Sequence, residues 1–96
     1  MRFHYKERYL KRFDRFPVHE QTLILGAMHQ IRRYYETRQA PVGLRIKLLH
    51  TSVDAKVFEA RASQALRIIW AQRHDLVTFL LVGTHDEVTR ALRARA

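Results

Sequence analysis

The stretch from Lys56 to Arg93 constrains the chain most. Three runs rich in Val, Ile, Phe, Leu or Trp follow one another there: Lys56–Ala62, Leu66–Gln72 and Leu76–Val82. Short polar breaks separate them, as expected of β-strands joined by tight turns. Parallel neighbours would need a crossover of about a dozen residues or more, so connections this short imply antiparallel pairing. The stretch therefore predicts a three-stranded meander.

Register decides where its charged residues point. A two-residue Ser63-Gln64 loop would set Arg61 opposite Leu66 and turn Arg61 and Arg67 to opposite faces. A three-residue loop, Ser63-Gln64-Ala65, pairs Ala62 with Leu66 and Arg61 with Arg67. Phe58, Ala60, Ala62, Leu66, Ile68 and Trp70 then form one apolar face, and Glu59, Arg61 and Arg67 share the other. A slip of one residue exchanges the faces of every side chain, so burial selects the second register. Neither loop carries the Asn-Gly signal of a two-residue turn.

Before the meander, Arg2–Tyr5 alternates as a short strand that could lie at a sheet edge or beside the meander. From Glu7 to Phe16 the apolar residues Tyr9, Leu10, Phe13 and Phe16 recur at helical spacing, with Lys6, Arg8, Lys11, Arg12 and Arg15 elsewhere. This predicts a helix with a basic outer side. Pro17 starts a second helix, running to about Thr37. Its stripe is Ile24, Met28, Ile31 and Tyr35, widened by Leu25 and Tyr34, with Gly26 a place for close packing. Residues 44–50 fit strand and short helix equally and read as an irregular lead-in. Thr84-His85-Asp86-Glu87 has the form of a capping box and opens a terminal helix. The order predicts one α+β domain over residues 1–96: a small antiparallel sheet of about four strands, two N-terminal helices packed on one face, and a short C-terminal helix.

Composition narrows the partners. Eighteen Lys and Arg against nine Asp and Glu give a net charge of +9, and four lysines leave fourteen arginines. Such an excess repels itself and finds its balance outside the fold. Arg forks onto phosphate and carboxylate, so a nucleic acid or an acidic protein is the expected partner. There is no cysteine, hence no disulfide framework or thiolate zinc site. No apolar run reaches the roughly 20 residues of a membrane helix, and Met1–Arg8 lacks a secretory core, so a cytoplasmic protein without membrane contact is expected.

The candidate site grows from the register. Two facing arginines repel unless an anion or carboxylate lies between them. Glu59 can screen the pair as a simple surface ion pair, or the pair can hold a phosphate; spacing leaves both open. His85 follows the third meander run at a helix N-terminus, where amides can receive an anion and an imidazole can exchange protons near neutral pH. It also fits a plain exposed residue of a first helical turn. His4, His19, His29, His50 and His74 are scattered, and His19 and His29 lack the i, i+4 spacing of a helical metal pair. Neither a metal nor a cofactor is expected.

On V-F-E-A-R-A-S-Q-A-L-R-I-I-W followed by L-V-G-T-H-D-E-V-T-R, and on the order of elements, nearly the whole chain resembles the RelE/ParE superfamily of type II toxins. The RelE and YafQ-like branch implies a metal-independent endoribonuclease, an mRNA interferase that cuts mRNA on the ribosome, blocks translation and is neutralised by an acidic antitoxin. The ParE branch implies a gyrase inhibitor of the same fold; a non-catalytic nucleic-acid-binding relative is a further alternative. By that resemblance Arg67 matches the arginine of a Y-R-[ILV] strand that stabilises the cleaved phosphate. Arg61 falls where family nucleases keep basic or histidine groups, and His85 matches the catalytic histidine of YafQ-like toxins. Thr89 stands where RelE-type toxins often carry a tyrosine that stacks on RNA. Glu59 lies near the position of a catalytic lysine, with Lys56 as a basic group reaching in from the strand start. The resemblance makes His85, Arg67 and Arg61 catalytic, and Lys56, Glu59 and Thr89 substrate-binding.

Overall fold

The computed structural model describes residues 1–94. In chain order it has β1 (Arg2–Tyr5), α1 (Glu7–Asp14), α2 (Val18–Thr37), a short 3-10 turn (Val42–Leu44), β2 (Lys47–Thr51), β3 (Lys56–Arg61), β4 (Leu66–Arg73), β5 (Leu76–Thr84) and α3 (His85–Ala94). The strands form one sheet in the order β1-β5-β4-β3-β2. The α+β class and the meander are as the sequence predicts. The sheet itself is larger and mixed: five strands, with β1 parallel to β5 and paired to Leu76–Phe79. A parallel neighbour is possible because everything between β1 and β5 serves as its crossover. The start of β1 is pinned to the β4–β5 turn, where Arg2 donates to both Asp75 carboxylate oxygens at 3.1 and 3.2 Å.

The fifth strand comes from the irregular lead-in. Leu44 is buried at the end of the 3-10 turn, Arg45 turns the chain at φ 48°, and Lys47–Thr51 then joins β3. A register shift at Leu49 interrupts that edge pairing, which weakens the alternation by which a strand is recognised.

One face of the sheet carries the main core. Ala60, Leu66, Ile68, Trp70, Val77, Phe79 and Val82 meet Tyr9 and Phe16 from the first helical segment and Ile24, Ala27, Ile31 and Tyr35 from α2. Trp70 lies between Phe58 and the α2 side: its ring stacks on Phe58 at 5.5 Å, and its indole N–H donates to the Tyr35 hydroxyl at 2.8 Å. That bond removes the cost of burying a polar N–H. α2 is narrower in contact than its stripe suggests. Leu25 is exposed, and a Cβ at Gly26 would meet nothing within 4 Å, so this glycine serves no close approach.

α3 covers the opposite face, where Val88 packs on Ile69 and Leu81, flanked by Val57, Ala91 and Leu92. A bulge makes this possible. Trp70 pairs with Phe79 and Ile69 with Leu81, leaving Leu80 unmatched. The extra residue shifts the parity of β5, so Phe79 and Val82 face the main core while Leu81 and Gly83 face α3. The helices therefore lie on both faces of the sheet.

Candidate functional site

The hairpin between β3 and β4 closes through the three-residue loop. The Ala62 amide donates to the Leu66 carbonyl at 3.0 Å, and Arg61 stands opposite Arg67. Arg67 in turn stands opposite Gly83 on β5. Arg61, Arg67 and Gly83 thus form one row across three strands, and His85 follows two residues later as the first residue of α3.

The two arginines are not equivalent. Arg67 is only 8% exposed. Its Nη1 donates to the carbonyls of Gln64 at 2.8 Å and of Ser63 and Leu66 at 3.3 Å, and its Nε stands 3.9 Å from Glu59 Oε1. The guanidinium holds the hairpin loop shut, so much of its donor capacity goes inward. Arg61 is half-buried and has no ion pair among the described residues. It borders a depression of about 640 Å³ that lies against α2, shared with Leu23, Gly26, Arg45, Ser63 and Gln64; neither Arg67 nor His85 lines it. Of the pair, Arg61 is the cation available to a ligand.

His85 is exposed at the start of α3. The capping box is formed: the Glu87 amide donates to Thr84 Oγ1 at 3.2 Å, and the Thr84 amide to Glu87 Oε1 at 3.0 Å. Glu87 also receives Arg12 Nη2 from α1 on both oxygens, at 2.7 and 2.8 Å. The Thr84 amide first, and then Arg12, hold the Glu87 carboxyl below its usual range against the opposing effect of desolvation. Asp86 and Glu87 place two carboxylates in the first turn of α3. They already answer the helix dipole, so this N-terminus is less open to an anion than the sequence suggests.

Solved structures supply the comparison. A chain of the archaeal RelE–RelB complex from Pyrococcus horikoshii OT3 matches with a TM-score of 0.66 at 16% identity, over 86% of this chain and 92% of that chain. A chain of the RelB–RelE antitoxin–toxin complex from Methanococcus jannaschii matches at 0.64 and 15% identity, over 92% and 96%. YafQ from E. coli strain BL21(DE3) matches at 0.61 and 14%, over 92% and 98%. The fold is that of the RelE and YafQ toxins. No family model and no curated protein matches the chain.

Within this RelE-like fold the remaining predicted residues separate. Glu59 is half-buried beside Arg67, in reach of the row. Thr89 lies one turn after His85 on the same side of α3 and is half-buried. Lys56 does not join them. It pairs with Gln72 at the other end of β3, about 17 Å along the strand from Arg61, and its position in the alternation puts it on the opposite face. The expected reach from the strand start is therefore corrected. Arg12 is the residue that sequence reasoning missed. Its place in the basic run of α1 was visible, but nothing local showed that α3 would return to it. Among the described residues, no three His, Asp or Glu side chains are arranged to hold a metal ion.

Proposed function

We propose that this chain is the toxin of a type II toxin–antitoxin pair, acting as an endoribonuclease that cuts mRNA and blocks translation. The observation that carries the reading is the Arg61–Arg67–Gly83 row running into a helix that opens on His85, in a fold shared with toxins solved in complex with RelB. The partner that follows is an acidic antitoxin.

The chemistry is a transesterification that needs no metal. A base takes the proton of a ribose 2′-hydroxyl, the oxygen attacks the adjacent phosphorus, and the bond to the 5′-oxygen breaks as that oxygen is protonated. His85 serves as the acid or base. Arg61 stabilises the negative charge gathering on the phosphoryl oxygens. Arg67 acts chiefly through the loop it braces, with its remaining donors toward the same charge, and Glu59 keeps the two cations compatible. Thr89 borders the RNA one turn along α3. Lys56 has no part. Replacing His85 with Ala should lower RNA cleavage by about two to four orders of magnitude with an unchanged circular dichroism melt. Cleavage at the wild-type rate removes His85 from the mechanism.

The inward commitment of Arg67 favours one second reading: a ParE-like gyrase inhibitor, in which this row is structural and no RNA is cut. That reading predicts a DNA-damage response with translation intact, and indifference to substitution at His85.

A further inference from the structure

The imidazole of His85 makes no side-chain hydrogen bond or ion pair among the described residues. Where an acid–base group works, a further group commonly orients it. Here nothing aims the ring except the backbone that carries it. What fixes that backbone is therefore a question about the site.

β1 pairs with β5 only as far as Phe79, whose carbonyl accepts the Lys6 amide at 3.0 Å before the chain turns into α1. From there α1 and α3 border a groove of about 780 Å³, with Arg8, Arg12, Arg15 and Arg90 in its walls. Arg12 and Glu87 bridge it at 2.7 and 2.8 Å, the one ion pair between the two helices among the described residues. A guanidinium fork on both carboxylate oxygens fixes an angle as well as a distance. The fork is itself held, 4.2 Å above the ring of the buried Phe16.

Gly83 lies on the other side of the same carboxylate. A Cβ there would come 3.2 Å from Glu87 Cβ and 3.3 Å from its Oε1. No glycine among the described residues has a positive φ, so position 83 is small for space and not for its backbone. The Glu87 side chain thus lies over the strand residue that pairs with Arg67. On its apolar side α3 buries only Val88 among the described residues, and one anchor leaves a helix free to turn. Arg12 supplies the second.

We propose that Arg12 is a positioning residue for His85: by gripping both oxygens of Glu87 over Gly83, it sets the angle at which the first turn of α3 leaves β5. That angle decides where the imidazole stands against the Arg61–Arg67 row. The consequence for cleavage rests on the reading above; the orientation of His85 by Arg12 does not. A displacement of about 1 Å at a reacting group can cost about a hundredfold in rate.

The test uses the full chain with isotope-labelled histidine, read by NMR beside steady-state cleavage of a short RNA. The His85 ring signals are assigned by their loss in His85→Ala. Three variants cut the link at different atoms. Arg12→Lys keeps the charge and loses the fork. Glu87→Gln keeps the capping box, which accepts Gln at this position, and loses the ionic grip. Gly83→Ala keeps both groups and pushes Glu87 aside. In each, kcat should fall about tenfold or more with KM within about twofold, while the His85 ring signals shift or broaden and those of His4, His29 and His50 stay. The double variant Arg12→Lys/Glu87→Gln should be no slower than the slower single, because both cut one link. Circular dichroism at the assay temperature gives the folded fraction and separates these effects from unfolding.

His85 signals unmoved in all three variants overturn the proposal, whatever the cleavage rate. So does a response confined to Gly83→Ala, which would make the capping box sufficient and leave Arg12 idle. Where His85→Ala abolishes cleavage, wild-type kcat in Arg12→Lys and Glu87→Gln overturns it too, as does a rise in KM alone, which would make Arg12 an RNA contact. If the wild type cuts no RNA, or His85→Ala cuts equally well, the nuclease reading fails, and the NMR signals alone decide whether Arg12 orients His85.

Discussion

Two buried side chains give predictions of opposite sign. Tyr9 is 1% exposed beside Phe79, and its hydroxyl has no hydrogen-bond partner in the described structure. Burial first, and then the neighbouring Tyr5, push that hydroxyl's pKa above its usual value. An unsatisfied buried hydroxyl costs stability, so Tyr9→Phe should be neutral or up to about 1 kcal/mol more stable in urea unfolding. A loss of more than that would mean the hydroxyl has a partner. Arg67 is the converse case, satisfied and buried. Arg67→Ala strands the loop carbonyls and Glu59 together and should cost about 2–3 kcal/mol by the same measurement. Arg67→Lys keeps the charge but not the fork, and should recover only part of the loss. Unchanged stability in Arg67→Ala would show that its inward bonds are dispensable and return it to the phosphate. The sequence displayed the facing of Arg61 and Arg67 because that register gathers Phe58, Ala60, Leu66, Ile68 and Trp70 on one face. It could not display that Arg67 turns to its own loop, since three carbonyls within four residues leave no mark on residue type.

At the scale of elements, α3 is the least embedded part of the fold. Val88 is its one buried residue among those described, and the helix is fastened by the Thr84–Glu87 box and by Arg12. Because the folded-state pKa of Glu87 is lowered, its ionised form stabilises the fold above the unfolded value near 4.5, and that contribution disappears as pH falls through the folded value. Glu87→Gln should therefore lower the melting temperature at neutral pH and flatten its decline below about pH 4.5, with the Asp75–Arg2 pair still contributing in both proteins. Equal acid sensitivity in the two proteins would show that the Arg12–Glu87 contact does not fasten α3. Helix starts and the capping box were legible because they depend on residues within one turn. β2 and the β5 bulge were not: Leu76–Val82 is apolar at nearly every position, so its change of parity is invisible without the partner strand. The side of the sheet taken by α3 follows from that parity, and so was hidden with it.

For the whole molecule, two groups of arginines lie on either side of α3: Arg61 and Arg67 in the row ending at His85, and Arg8, Arg12, Arg15 and Arg90 in the groove beside α1. The sequence announced the excess of arginine but not its division, because the division depends on where β1 stops along β5. The parallel placement of β1 was equally beyond local reading; its alternation is the same in any orientation. No helix among the described residues is long and apolar enough to cross a membrane. The central claim is that this small basic fold halts translation by cutting RNA at the His85 end of its sheet. Its most direct test adds purified protein to a translating cell extract and maps new 5′ ends on the message, for the wild type and His85→Ala. The account predicts discrete cuts together with arrest for the wild type, and the loss of both in the variant. Arrest without cuts, or cuts that persist undiminished in His85→Ala, would contradict it.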